Sequence, residues 1–166
     1  AHFYVSHFKK SVLQATMTID LFEIQKPQDL FSEIQSAIVE YHERPTSRLL
    51  LFLVFSLNHL REWIAGKSYE QIEKKIASKS ALTPEEEFFC RLWSLDDFKT
   101  INTLCNRSKH HLVTKGVATS VTEGFTVNSP VSDSLGQIYY LINEIDSRKI
   151  FATVIREYHQ WFATHG

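Results

Sequence analysis

Two short polar runs hold the residue types that could do chemistry: Asn58-His59-Leu60-Arg61-Glu62-Trp63 and Cys105-Asn106-Arg107-Ser108-Lys109-His110-His111-Leu112. A histidine exchanges a proton near neutral pH, and a lysine or arginine beside it can steady charge developing on a phosphate. Residues three and four apart lie on one face of a helix, so His59, Glu62 and Trp63 share a face. Phe52, Phe55 and Ser56 continue that face, which predicts that His59 and Glu62 point into the protein. In the second run Phe98, Ile101, Cys105 and Leu112 read as the buried side. Asn102, Asn106, Lys109 and His110 then form a polar stripe beside it, and His111 falls on the opposite flank near Leu104 and Arg107. The spacing therefore predicts that Asn106, Lys109 and His110 converge.

Three kinds of chemistry suit these residues. In metal-free RNA cleavage, His110 would take the proton of a ribose 2′-hydroxyl, Lys109 or Arg107 would stabilise the phosphate, and His59 would be a second acid–base group. In a metal site, His59 and Glu62 would be ligands on adjacent turns. Carboxylate-bridged bundles need four Glu and two Glu-x-x-His pairs, whereas this chain has one reversed pair, so neither metal nor cofactor is expected. In a binding module, Asn106, Lys109 and His110 beside Trp63 and Glu62 would hold a small anion, a nucleotide or a peptide. A fourth role is architectural: bridges from His59 or Glu62 to Asn106 or Lys109 would fix helix register. An enzyme needs His110 accessible; the architectural role needs all these groups bonded to each other and closed to water.

The elements that must position these runs are mostly helices. From Leu49 to Phe55 every residue is apolar, which predicts a central helix packed on several sides. Spanning a membrane takes about 20 apolar residues, and this run ends at Ser56 and Asn58, so no membrane segment is expected. Thr46 or Ser47 should cap the helix and Gly66 should stop it. Before it, Pro27-Gln28-Asp29 leads into the stripe Leu30, Phe31, Ile34, Ile38, Tyr41, ending near Arg44-Pro45. After it, Ser68 opens a short amphipathic helix through Ile72 and Ile76. Thr83-Pro84 with Glu86 is a helix start leading into Phe88, Phe89, Leu92 and Trp93, and Leu95-Asp96-Asp97 begins the helix that carries the second run.

From Val113 the texture changes to Thr, Val, Gly, Asn and Ser. Thr119–Val127 reads as short strands around a Glu123-Gly124 turn, and Gln137–Ile142 as one more strand ending at Asn143-Glu144-Ile145-Asp146. Ser147 should cap a last helix carrying Ile150, Val154, Tyr158, Trp161 and Phe162. In residues 1–26, Leu13, Met17, Leu21 and Ile24 fit a helix while Leu13, Ala15, Met17, Ile19 and Leu21 fit a strand; the reading leans to a helix. The expected fold is mainly α: residues 1–166 as a single bundle around a buried central helix. A small antiparallel β insertion at about 113–146 precedes the C-terminal helix.

Composition narrows the function. Eighteen Lys and Arg against 19 Asp and Glu argue against obligatory binding of long duplex DNA, which needs a clustered positive surface. A short RNA or a small anionic ligand held locally is compatible with that balance. Cys90 and Cys105 lie in separate helical stretches without metal-ligand spacing and read as buried thiols of a reducing compartment, so the cytoplasm is the expected location. His2, His7, His42, His159 and His165 are scattered and expected at the surface. Oligomeric state is left open, a homodimer included.

The two runs also carry a resemblance. His59-Leu-Arg-Glu-Trp63 with Asn106-Arg-Ser-Lys-His110 looks like a group of uncharacterised bacterial helical proteins. These have His-Leu-x-Asp/Glu-Trp on one helix and Asn-x-x-Lys-His on a later one, followed by a strand-rich segment and a last helix ending near a Trp. Residues 113–146 and Trp161 fit that layout. More distantly the chain resembles the HEPN superfamily of helical bundles, many of them metal-independent ribonucleases of defence and toxin systems. The resemblance implies RNA as substrate and His110 as catalytic base. The HEPN signature places an Arg about five residues before its His; here that position is Cys105 for His110 or Asn106 for His111, so the usual charge stabiliser is absent or displaced.

Overall fold

The structure, a computed structural model, describes residues 23–110, 116–124, 129–131 and 133–166. The expectations for residues 1–22, His111, Leu112 and the strand over 125–127 lie outside the described residues. Among the described residues six helices and a small sheet follow in the order α1 (Pro27–Glu43), α2 (Ser47–Ala65), α3 (Tyr69–Ala77), α4 (Pro84–Ser94), α5 (Asp96–His110), β1 (Thr119–Glu123), β2 (Ile138–Ile142), β3 (Ile145–Asp146) and α6 (Ser147–His165). The chain is thus mainly helical, with a three-stranded antiparallel sheet before the last helix. Among the described residues no single helix is long and apolar enough to cross a membrane.

The helix boundaries follow the capping chemistry. Asp29 accepts from the Lys26 amide at 2.9 Å and opens α1. Thr46 Oγ1 accepts from the Leu49 amide at 3.2 Å, and Gly66 ends α2 in the left-handed region (φ 60°), where a Cβ would be strained. Thr83 and Glu86 exchange backbone–side-chain bonds, a reciprocal cap worth about 1 kcal/mol. At α6 the expected cap is displaced by one residue. Asp146 accepts from the Arg148 amide at 3.0 Å, while Ser147 is the first helical residue and its buried hydroxyl meets Tyr41 Oη at 2.8 Å.

β1 pairs antiparallel with β2, Thr119 opposite Ile142 and Glu123 opposite Ile138. The strand expected at Gln137–Ile142 does not simply end at Asn143. Asn143 (φ 49°) and Glu144 (φ 65°) make a two-residue turn that adds β3, with Ile145 opposite Ile142. Positive φ at both central positions marks the turn type whose twist suits a hairpin, and Asn tolerates it well. Asn143 also extends the ladder, its amide N–H donating to Ala118 O and its side chain accepting from the Ala118 amide, both at 2.8 Å.

α2 is the hub, touching α1, α4, α5 and α6. It buries Leu49, Leu53, Val54, Leu57 and Leu60. It is not enclosed all round, however: Leu51 and Phe52 are 45% and 37% exposed. Opposite it, Phe88 stacks on Trp161 (4.7 Å between ring centres) and meets Tyr158 edge-on at 5.6 Å. The fully buried Tyr158 donates its hydroxyl to Leu57 O at 2.7 Å, and burial pushes that phenol up in pKa.

Among the described residues two ion clusters fasten the periphery, one around the buried carboxylate of Glu86 with its lysines at the surface and one around the enclosed Arg148. Glu86 receives Lys67 at 2.6 Å and Lys75 at 2.6 Å, tying α3 to α4. The two ammonium groups and the Thr83 amide hold its carboxyl down to about 2, against an ordinary 4.5. Because the folded value is the lower, this stabilisation is present above the ordinary value and lost as pH falls towards 2. The urea midpoint of the protein should therefore decline between about pH 5 and 2, and the Glu86→Gln variant should decline less over that window. Equal slopes for parent and variant would contradict the assignment. At the other end, Arg148 bonds Asp133 at 2.8 Å and Asp146 at 2.6 Å, fastening the segment before β2 to the start of α6.

Candidate functional site

The two polar runs do meet, because α2 and α5 pack side by side in opposite directions. Arg61 lies near Phe98 and Asn58 near Asn102, while Val54 and Leu104 share one wall of a cleft. At the crossing, Asn106 donates to Asn102 Oδ1 at 3.1 Å and Asn102 donates to Asn58 Oδ1 at 2.8 Å. Three amides thus run from exposed Asn106 to buried Asn58.

Beside this row, His59 Nδ1 faces Glu62 Oε2 at 3.4 Å and His59 Nε2 faces Cys105 Sγ at 4.0 Å. Phe55 lies parallel to the imidazole, 6.4 Å between ring centres. The side chains of His59 and Glu62 are 34% and 33% exposed. The inward orientation expected of these two is therefore corrected: they border the solvent, while Asn58 and Arg61 face the interior. Which residues of α2 face inward is set by α4 and α5 packing against it, and the apolar stripe of α2 alone does not encode that.

Cys105, His59 and Glu62 follow the order nucleophile, base, orienting carboxylate. Cys105 nevertheless has no exposed surface, and burial raises its thiol above the ordinary value despite the opposing Lys109 charge. It packs as a small apolar residue, as expected; Cys90, also expected to be buried, is only partly enclosed, and burial raises its thiol too. The accessible chemistry of the crossing therefore rests on His59, Glu62, Asn106 and Lys109, with exposed Trp63 one turn beyond His59. Among the described residues no ion pair joins Glu62 to Lys109, and no group of three or more His, Cys, Asp or Glu could hold a metal. His110 closes α5; its side chain lies outside the described residues, as does all of His111.

Arg61 was grouped with the polar end of α2, yet it is only 3% exposed. Its guanidinium lies 4.2 Å from the Phe89 ring centre, 4.6 Å from Phe98 and 5.1 Å from Trp93. Nε and Nη1 are buried with no hydrogen-bond partner among the described residues, and burial lowers the pKa of the group. Aromatic residues four to five apart, Phe89, Trp93 and Phe98 across the α4–α5 bend, were the one sequence signal for such a cage. The surface histidines are partly packed: His159 meets Phe31 edge-on and His165 stacks on Trp161 at 3.8 Å.

No protein-family model matches the chain, and comparisons with curated proteins and with solved structures give no match. The geometry of the α2–α5 crossing is thus the ground for a functional reading.

Proposed function

We propose that the chain is a binding module for short single-stranded RNA, recognised along the α2–α5 crossing. What supports this is the open end of the amide row: Asn106 and Lys109 are exposed, and Trp63, 43% exposed, lies on the face of α2 that carries His59. A purely architectural network would close these groups off from water. Trp63 offers a stacking plane, Lys109 a phosphate contact, and Asn106 and Glu62 complementary donors and acceptors for base edges. The near-neutral composition agrees with few phosphate contacts and hence modest affinity.

The test is fluorescence anisotropy with a fluorescein-labelled mixed-sequence RNA. Trp63→Ala should weaken binding by about 1–3 kcal/mol, the worth of a stacked base. Lys109→Ala should flatten the dependence of log K on log salt by about 0.7, the value of one single-strand phosphate. Binding unchanged in both variants, or no binding by the parent, would defeat the proposal.

One observation favours a catalytic extension, metal-independent cleavage of that RNA as in HEPN-like proteins. His59 presents an imidazole about one-third exposed and held at Nδ1 by Glu62, a suitable acid–base group on the same face. His110 would be the base and Lys109 the charge stabiliser. Cleavage in EDTA that vanishes in His110→Ala and weakens in His59→Ala would support the extension; intact RNA would leave a binding module alone.

A further inference from the structure

A second site lies on the other flank of α5. The first half of α2, the flank of α5 bearing Leu104, Arg107 and Ser108, and strands β1 and β2 enclose an open cleft of about 770 Å³. Small-molecule sites typically span about 300–1,000 Å³. The helices contribute Leu50, Leu51, Val54 and Leu104, and the sheet contributes Val121 and Ile142. Among the described residues, Arg107 is the single charged side chain on the lining, and no carboxylate is among them. Its Nη1 donates to Val117 O at 3.0 Å, which fixes the guanidinium beside β1. Ser47, Ser108, Thr119 and Ser120 share the lining.

We propose that this cleft binds an amphipathic carboxylate, a medium-chain fatty acid in its chemistry, with the apolar chain between α2 and the sheet and the carboxylate at Arg107. Each buried methylene contributes about 0.8 kcal/mol, which suits walls of Leu, Val and Ile. The head group follows from charge: a guanidinium with no carboxylate beside it among the described lining residues prefers an anion, and its fork geometry matches a carboxylate. The exposure of Leu51, unexplained by the packing of α2, is then the exposure of a binding wall. The site is independent of the crossing that carries Asn106 and Lys109, and stands or falls separately from it.

The experiment is a titration with 11-(dansylamino)undecanoic acid, followed by competition with dodecanoate and with dodecanol below their micellar concentrations. Dansyl emission should rise and shift to the blue, and dodecanoate should displace the label at a concentration about tenfold or more below dodecanol, as a charge-assisted hydrogen bond implies. Arg107→Lys should retain the preference for the acid, and Arg107→Gln should abolish it. Val121→Glu, at a position 62% exposed and so harmless to folding, should weaken dodecanoate more than dodecanol. No gain in emission, equal competition by acid and alcohol on the parent protein, or an unchanged preference in Arg107→Gln would overturn the proposal.

Discussion

Replacing Arg148 with alanine should lower the free energy of unfolding by about 3–5 kcal/mol, the loss seen when one partner of a buried ion cluster is removed. The Arg148 side chain is 6% exposed, and Asp133 and Asp146 are 8% and 14% exposed. Burial works against the Arg148 charge, but the two carboxylates outweigh it and hold its pKa above the ordinary value; in return Arg148 holds Asp133 below the usual carboxylate range. Without Arg148, two enclosed carboxylates face each other, and among the described residues Tyr139 Oη, which donates to Asp133 at 2.8 Å, is the side-chain donor left to that carboxyl. Because small domains are stable by only about 5–15 kcal/mol, the variant should melt roughly 10 °C lower. Its deficit should also shrink as pH falls below the ordinary carboxylate range, because Asp133 is held lower in the folded protein and the parent loses that contribution as the pH falls towards the lowered value. A variant melting within a degree or two of the parent would show that the cluster is dispensable.

The second large effect has the opposite sign. Arg61→Leu should raise unfolding free energy by about 1–4 kcal/mol, as apolar replacements of buried charged groups do. The guanidinium gives up its hydration, and each donor left without a partner costs about 1–3 kcal/mol. Contacts with Phe89, Phe98 and Trp93 return part of this, about 2 kcal/mol for a desolvated cation–π contact. A leucine fills much of the same volume between those rings. Urea denaturation followed by circular dichroism checks the sign, and a lower midpoint for Arg61→Leu would mean that the aromatic cage more than compensates for the lost hydration.

How much of this was legible in the chain depends on whether the cause was local. Thr46, Gly66, Thr83-Pro84 and Pro27 act within one turn of themselves, and the helices start and stop where those residues say. The hairpin at Asn143-Glu144 was missed because Glu is an unusual occupant of a left-handed turn position, so only Asn143 signalled it. Asp146 took the cap from Ser147 because Ser147 is drawn inside by Tyr41. For the candidate residues, orientation was what the sequence did not carry. His59 and Glu62 were placed inside on the apolar stripe of α2, and that stripe includes Phe52, which is exposed beside α1. The inward position of Arg61 depends on three aromatic rings from two later helices, a non-local cause that no spacing within α2 encodes.

The row of asparagines has a consequence for how α5 can sit. Asn102 and Asn106 are four residues apart, so sliding α5 along its axis by one turn, about 5.4 Å, would bring Asn106 to the place of Asn102 and restore a bond to Asn58. The polar pairing alone is therefore degenerate between two alignments of the helices. The same slide would carry Lys109 into the place of Cys105, where no surface is exposed, and a lone ammonium there would be prohibitive. It would also carry Asn102 into the place of Phe98, so the buried stripe of α5, the small thiol included, makes the alignment of α2 and α5 single-valued.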